Sequence, residues 1–215
     1  MICGIDEAGR GPVIGPLVVA AVKVNDDGKL MELGVKDSKR LTPSVRRELE
    51  NEIKNCVEFS LRVVSAEDID SARQRMSLNE LEADLFAGLI EELCTGKDRC
   101  YVDSASTNER KFAEMLKARV DVDVKIISEH GADDEYPAVS AASILAKVER
   151  DRKVKEISKK FERDIGSGYP SDTMTQEFLK EWIPENGSLP PHTRESWDTC
   201  KQLMNRFKNR SLDEF

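Results

Sequence analysis

The sequence predicts an α/β protein with a mixed five-stranded sheet, helices flanking it, and a helical C-terminal extension. Three apolar, strand-like segments come early in the chain, and helical and strand-like segments then alternate, which is typical of a sheet covered by helices. Near residue 166 a GSGYP stretch ends this alternation, and only helical segments follow it. At 215 residues the chain is long enough to bury a substantial core.

The strands are predicted from β-branched and apolar runs bounded by turn residues. Residues 16–24 form a continuous apolar run, which indicates a strand buried on both faces. The predicted strands comprise residues 2–5, 16–24, 57–64, 99–102 and 122–127.

The helices are predicted from their capping residues and apolar spacing. Thr42 is a suitable N-cap, and Pro43 suits the first helical position. Ser77 and Glu80 have the spacing of a capping box, and the leucines that follow share one helical face. The predicted helices comprise residues 43–54, 66–75, a segment starting at 78, and residues 108–119, 137–160, 173–182 and 194–209.

Composition limits the classes of function. With 39% hydrophobic residues, 34% charged residues and a formal charge of −8, the chain is expected to be a soluble protein. This acidic balance counts against a non-specific nucleic-acid binder but permits an enzyme with a local basic groove. The five cysteines include no Cys-x-x-Cys motif, so we expect reduced thiols and a cytoplasmic location. No signal peptide or membrane-spanning run is present in the sequence, so no membrane partner is expected.

Acidic residues follow the apolar strands at several points. Asp6 and Glu7 end the first strand, just before a Gly-Arg-Gly-Pro turn, and Asp103 follows the fourth strand. Asp133 lies in a further acidic stretch. Carboxylates from separate strands can converge at a sheet edge, where they suit Mg²⁺ or Mn²⁺ and two-ion phosphodiester chemistry. For Asp103 alone, an ordinary turn residue is an equally good interpretation.

Several blocks of sequence resemble the type 2 ribonucleases H (ribonuclease HII), in the order found in that family. They are residues 4–12 (GIDEAGRGP), 35–41 (VKDSKRL), 101–104 (YVDS), 141–151 (AASILAKVERD) and 166–172 (GSGYPSD). The form of residues 129–137 (EHGADDEYP) is most similar to archaeal members.

The resemblance implies a fold and an activity. The fold would be ribonuclease H-like, with a catalytic domain at residues 1–165, a substrate-binding helical extension at 166–208 and a tail at 209–215. The activity would be endonucleolytic hydrolysis of the RNA strand of RNA–DNA hybrids, and of ribonucleotides embedded in duplex DNA, during DNA replication and repair. The mechanism would use two ions of Mg²⁺ or Mn²⁺ and leave 5′-phosphate and 3′-hydroxyl ends.

The resemblance also implies roles for individual residues. Asp6, Glu7, Asp103 and Asp133 would be the catalytic, metal-binding carboxylates, with Asp134 as a competitor for the fourth position. The implied substrate contacts are the backbone of Gly9, Arg10 and Gly11 at the ribose 2′-hydroxyl, Tyr169 stacked on the following deoxyribose, and Ser38, Lys39 and Arg46 at phosphates. For these last three, a solvated surface position is the alternative. Ser143 is either a packing residue or a ligand contact.

The last seven residues resemble the clamp-docking peptide of replication proteins. Leu212 and Phe215 occupy the apolar positions, whereas Asn209 stands where Gln is usual. A tail of this kind would order on binding the sliding clamp, and a frayed terminus is the alternative. We expect a monomer that binds an RNA–DNA hybrid duplex. The competing functions are another metal-dependent nuclease of the same fold and a nucleic-acid-binding clamp adaptor.

Overall fold

A computed structural model describes residues 1–35 and 41–213. The chain divides into two compact units. The first comprises Met1–Ala8, Val18–Val63 and Met76–Glu149, and the second comprises Gly9–Leu17, Val64–Arg75 and Arg150–Phe215. The domain boundaries expected at residues 165 and 208 stay a prediction.

The strands and helices occur in the following order along the described residues. The strands are β1 (Ile2–Ala8), β2 (Leu17–Val24), β3 (Glu58–Val64), β4 (Arg99–Asp103) and β5 (Lys125–Glu129). The helices are α1 (Gly28–Glu32), α2 (Pro43–Cys56), α3 (Ala66–Arg73), α4 (Leu78–Leu93), α5 (Glu109–Lys117), α6 (Ala132–Glu135), α7 (Pro137–Lys160), α8 (Thr173–Asn186) and α9 (Asp198–Asp213).

The strands form one mixed sheet in the order β3-β2-β1-β4-β5. Strand β1 runs antiparallel to β2 and parallel to β4, which in turn runs parallel to β5. The predicted five-stranded mixed sheet with flanking helices is therefore confirmed. Because β1 and β4 are parallel neighbours, their C-terminal ends meet at the same edge of the sheet.

Small residues let α7 approach the sheet closely in the first unit. A Cβ atom placed on Gly4 in β1 would overlap the backbone of Ala138 and Val139. The alanines of this helix are fully buried in the same core as the apolar residues of β2. Gly4 is thus required for the close packing of α7 on the strand that carries Asp6 and Glu7.

The second unit has its own apolar core. Val13 and Ile14 pack there with buried residues from the end of α7 and from α8, including Phe178 and Leu179. Trp182 and Trp197 are partly buried against this cluster. No helix in the described residues is long and apolar enough to cross a membrane.

Several helix boundaries differ from the prediction. Two short helices, α1 and α6, were not predicted because each has at most five residues, too few to show an apolar period. Helix α8 continues past Trp182 through Pro184, and ends where Gly187 adopts a left-handed conformation and donates to the Ile183 carbonyl. The last helix begins at Asp198 and extends to Asp213, so it includes most of the predicted tail.

Candidate active site

Two strands place three carboxylates at one edge of the sheet. The register pairs Ile5 of β1 with Val102 of β4, so Asp6 and Asp103, the next residue on each strand, lie side by side. Glu7 follows Asp6 directly, and its backbone N–H donates to Asp6 Oδ1 at 2.7 Å. Asp6 is only 4% exposed. The sheet therefore brings together three of the four predicted carboxylates.

Burial and like charge act together on Asp6. Burial raises the pKa of the Asp6 carboxyl well above its usual range, and the nearby Glu7 and Asp103 carboxylates raise it further. A hydrogen bond with Ser143 and the charge of Lys147 act in the opposite direction and lower this pKa. A buried carboxyl group facing two other carboxylates needs a compensating cation to be fully ionised.

Ser143 and Lys147 lie on α7 next to this carboxyl group. Ser143 is fully buried, and its Oγ accepts a hydrogen bond from Lys147 Nζ at 2.7 Å. The Ser143 hydroxyl can therefore donate its hydrogen to Asp6 while its oxygen accepts from Lys147. The sequence left the role of Ser143 open, although its spacing of four from Lys147 placed both residues on one helical face.

The fourth predicted carboxylate lies on α6. Gly131 caps this helix with a left-handed φ of 68°, and the Ala132 N–H donates to Asp103 Oδ1 at 3.1 Å. This hydrogen bond fixes the start of α6 to the end of β4. Asp133 is 3% exposed, whereas Asp134 is exposed to solvent. Of the two neighbouring acids, Asp133 is therefore the one held within the protein.

The carboxylates form an open arrangement rather than a cage for a single ion. Among the described residues, candidate ligand atoms from three side chains do lie within 4.8 Å of one another in one group. That group consists of cysteines, not carboxylates. Carboxylates that repel one another stay apart until cations bind between them. An all-oxygen donor set that leaves room for water and substrate oxygens fits Mg²⁺ or Mn²⁺.

The predicted sugar-reading loop, Gly9-Arg10-Gly11, belongs to the second unit. Gly9 has a φ of 86°, and a Cβ atom there would lie 2.5 Å from the Pro16 carbonyl oxygen. Glycine is therefore required at this position on grounds of both conformation and space.

Arg194 fixes this loop from within. Its side chain is fully buried and donates to the carbonyl oxygens of Gly9 at 2.6 Å, Arg10 at 2.8 Å and Gly15 at 3.0 Å. Burial lowers the pKa of the guanidinium to about 10, so it stays protonated at neutral pH. Arg194 was not predicted as a site residue, because no motif or period marks a single arginine in a Pro-rich loop.

Tyr169 lies beside the same loop. The N–H groups of Val13 and Ile14 donate to the Gly168 carbonyl at 2.8 and 3.2 Å. A Cβ atom placed on Gly11 would lie 3.5 Å from Tyr169 Cε1. The two predicted substrate-reading segments are thus neighbours.

The guanidinium of Arg150 stacks on the Tyr169 ring, 4.8 Å from its centroid. The same guanidinium donates to the Ser167 carbonyl. These contacts orient the ring next to Gly11.

The predicted phosphate contacts are less fully described. Arg46 lies in the first turn of α2, where its side chain is half-buried. Ser38 and Lys39 lie outside the described residues. Their predicted roles therefore stay predictions.

A buried Asp6 beside Glu7 and Asp103, at the shared end of two parallel strands, is typical of one class of protein, the nucleases of ribonuclease H-like fold that hydrolyse phosphodiesters with divalent cations. Residues 3–200 match the family model of ribonuclease HII. The chain belongs to the ribonuclease HII family, as the sequence motifs predicted.

Individual relatives are similar to this chain along nearly its whole length. Ribonuclease HII of Pyrococcus abyssi is 44% identical over 98% of this chain and 94% of the relative. The crystal structure of ribonuclease H2 from Pyrococcus horikoshii has a TM-score of 0.88 at 40% identity, covering 96% of this chain and 98% of that one. A ribonuclease HII solved in complex with PCNA, from Archaeoglobus fulgidus, has a TM-score of 0.87 at 42% identity, covering 94% and 96%.

These relatives decide between the functions that the sequence left open. The chain is a ribonuclease H, an endonuclease that degrades the RNA of RNA–DNA hybrids. The predicted enzyme class, a ribonuclease H rather than a nucleic-acid-binding clamp adaptor without activity, is confirmed. Neither the family match nor the relatives assign roles to individual residues of this chain.

Proposed function

We propose that this ribonuclease H cleaves next to single ribonucleotides embedded in duplex DNA as well as within RNA–DNA hybrids, using two ions of Mg²⁺ or Mn²⁺. The observation that carries this proposal is the convergence of buried Asp6 with Glu7 and Asp103 at one edge of the sheet. Burial and the two neighbouring carboxylates disfavour the ionised form of Asp6 unless cations bind beside it. Phosphodiester hydrolysis is the reaction for which such a site is suited.

Each carboxylate has its own role in this proposal. Asp6 and Asp103 lie on adjacent strands and would share the two ions, while Glu7 and Asp133 would each complete one site. When bound, the ions would activate a water molecule and stabilise the oxygen that leaves the phosphorus. Ser143 orients the Asp6 carboxylate through its hydroxyl, and Lys147 holds Ser143 in place. No side-chain nucleophile is required, and the products would carry 5′-phosphate and 3′-hydroxyl ends.

Recognition of the ribonucleotide is assigned to the second unit. The Gly9-Arg10-Gly11 backbone would contact the 2′-hydroxyl, which is the group that distinguishes RNA from DNA. Tyr169, stacked beneath Arg150 and next to Gly11, would lie against the following deoxyribose. Ser38, Lys39 and Arg46 would contact phosphates. The proposed role of the Gly9-Arg10-Gly11 backbone is supported by the hydrogen bonds from Arg194 that fix this loop.

A comparison of three substrates tests the proposed function. We expect cleavage of an RNA–DNA hybrid and of a duplex with one embedded ribonucleotide, and none of the all-DNA duplex of the same sequence. All cleavage should require Mg²⁺ or Mn²⁺ and stop on chelation. Equal cutting of the all-DNA duplex, or cutting in the presence of chelator, would contradict the proposal.

Two neighbouring variants test the choice of the fourth carboxylate. Asp133→Asn is expected to lower kcat by at least about 10²-fold, because it removes a buried ligand charge from the metal site. Asp134→Asn is the matched control, since its side chain is exposed one position away, and it should stay within about twofold of wild type. Steady-state cleavage at saturating Mg²⁺ measures both, and the reverse order of effects would move the ligand to Asp134.

We further propose that residues 209–215 bind the replication sliding clamp. The complex of the Archaeoglobus fulgidus relative with PCNA supports this proposal, as do the apolar residue types at positions 212 and 215 of the sequence, Leu212 and Phe215. Removing residues 209–215 should abolish clamp binding in a pull-down assay and leave cleavage of a short duplex unchanged. Clamp binding that survives the deletion would place the docking surface elsewhere. The monomeric state and the cytoplasmic location stay predictions.

A further inference from the structure

Three of the five cysteines meet in the core of the first unit. The Sγ atoms of Cys3, Cys94 and Cys100 all lie within 4.8 Å of one another. Cys3 and Cys100 are fully buried, and Cys94 is 5% exposed. The other two cysteines lie apart from this cluster, so the three thiols form a distinct group, which we call the cysteine cluster.

The fold explains why residues so distant in sequence converge. Cys3 and Cys100 are direct partners in the parallel register between β1 and β4. Cys94 is the C-cap of α4, and the short turn after it leads back into β4. Asp98 closes this turn by accepting hydrogen bonds from the N–H and hydroxyl of Thr95. The spacing therefore gives no Cys-x-x-Cys signal, although the thiols are adjacent in space.

Hydrogen bonds within the cysteine cluster favour the thiolate at one position, Cys94. Although a hydrogen bond with Cys100 and the charge of the buried Lys23 ammonium act to lower the pKa of Cys3, this pKa is raised by its hydrogen bond with Cys94 and by burial. Lys23 also lowers the pKa of Cys94 and pairs with Asp98 at 3.3 Å. Hydrogen bonds from Cys100 and then Cys3 lower the pKa of Cys94 to about 4, whereas the pKa of Cys100 is raised. One thiolate held by two thiols, with an ammonium nearby, is a partly prepared ligand set for a cation.

We propose that Cys3, Cys94 and Cys100 bind one thiophilic cation of the Zn²⁺ and Cu⁺ class, at a site separate from the carboxylates. Sulfur ligands select soft cations, whereas Mg²⁺ and Mn²⁺ prefer oxygen. Three thiolates at about 2.3 Å from one ion lie about 4.0 Å apart in a trigonal arrangement. The Sγ atoms, which lie within 4.8 Å of one another, would therefore need to approach by less than about 1 Å. Binding would release the remaining thiol protons to solvent, as metal binding by thiols does generally.

A cation bound at the cysteine cluster would stabilise the two strands, β1 and β4, that carry the catalytic carboxylates. Cys3 precedes Asp6 by three positions and Cys100 precedes Asp103 by three positions. Because side chains alternate along a strand, each cysteine faces the side of the sheet opposite to its carboxylate. A bound ion would thus link β1 and β4 on the face of the sheet opposite to the carboxylates, outside the site where substrate is cut.

Cadmium titration tests this site, because Cd²⁺ bound to thiolates gives an ultraviolet charge-transfer absorption that carboxylates do not give. The reduced, metal-free full chain, with excess Mg²⁺ to occupy the carboxylates, should bind one Cd²⁺ with an absorption per ion that corresponds to three thiolates. Zn²⁺ and Cu⁺ should displace it, and either should raise the thermal midpoint. Cys94→Ala should lose this signal, whereas Cys56→Ala, a half-buried cysteine outside the cluster, should keep it.

Several outcomes would overturn the proposal. Saturation without a thiolate band, an absorption corresponding to one or two thiolates, or equal binding by Cys94→Ala would each do so. An intramolecular disulfide found by mass spectrometry, in a chain that binds no Cd²⁺ when reduced, would identify a redox pair instead. If Cys94→Ala does not fold, the absorption per ion in the wild-type chain and in Cys56→Ala decides the matter.

Discussion

Asp6→Asn is expected to abolish metal-dependent cleavage while making the metal-free protein more stable. The loss of kcat should be at least about 10³-fold, roughly 4 kcal/mol of barrier, because the variant removes a charge that both ions share in the proposed function. Asparagine preserves the size of the side chain, so the fold is retained. Single-turnover cleavage of a hybrid duplex measures the loss, and Glu52→Gln, an exposed acid on α2, serves as the control.

The expected gain in stability follows from the raised pKa of Asp6. Burial first, and then the Glu7 and Asp103 carboxylates, raise this pKa in the folded chain above its unfolded value of about 4. The folded state therefore holds the proton more tightly, and stability is lost as pH rises from the unfolded pKa through the folded one. Asp6→Asn has no such charge, so its advantage should grow with pH over this window.

Denaturant unfolding in chelator at several pH values measures that advantage. At neutral pH we expect Asp6→Asn to unfold with a free energy about 0.5–2 kcal/mol higher than wild type, a gain common when a strained functional group is removed. Excess Mg²⁺ should reduce the difference, because it stabilises only the chain that binds it fully. A metal-free variant that is less stable than wild type at neutral pH would contradict this explanation of the site.

Arg194→Met is expected to lower the free energy of unfolding by about 3–5 kcal/mol, because each buried carbonyl oxygen left without a donor costs about 1–3 kcal/mol. Methionine fills a similar volume but leaves the carbonyl oxygens of Gly9, Arg10 and Gly15 without their buried donor. Arg194→Lys should recover only part of the loss, because an ammonium cannot reproduce the planar fork of donors. Urea unfolding with chelator present measures all three proteins.

Arg163→Met provides the matched control for Arg194. This arginine pairs with Glu181 at the surface, where its side chain is 41% exposed, so its removal should cost at most about 1 kcal/mol. In the proposed function, Arg194→Lys should also reduce preference for a ribonucleotide over a deoxyribonucleotide, because the Gly9–Gly11 backbone is less firmly held. Equal costs for the two arginine→methionine variants would show that Arg194 does not fix the loop.

Much of the fold could be predicted because local signals marked it. Thr42 accepts a hydrogen bond from the Val45 N–H, and Ser77 and Glu80 form the complete capping box, so the starts of α2 and α4 were clear from the sequence. The order of strands in the sheet could not be predicted, since it depends on long-range pairing. Likewise α6, which carries Asp133, is too short to leave a periodic pattern.

Some residues of the candidate site could likewise be predicted from the sequence, and others could not. Asp6, Glu7 and Asp103 were predicted because each follows an apolar strand, and parallel strands bring their ends together. Arg194 and the cysteine cluster were not predicted, because their roles depend on burial and on strand register rather than on spacing along the chain. Ser143 belongs between these cases, since the helical period put it on one face with Lys147 but could not orient that face toward Asp6.

The origin of the oxygen added at the cut is the most direct test of the carboxylate site. A duplex with one embedded ribonucleotide is cleaved in ¹⁸O-labelled water with Mg²⁺, and both new ends are analysed by mass spectrometry. Attack by water held at the carboxylate site predicts a 5′-phosphate carrying one ¹⁸O atom and an unlabelled 3′-hydroxyl. A 2′,3′-cyclic phosphate with a 5′-hydroxyl would show instead that the ribose 2′-hydroxyl attacks, and would contradict the proposed role of these carboxylates.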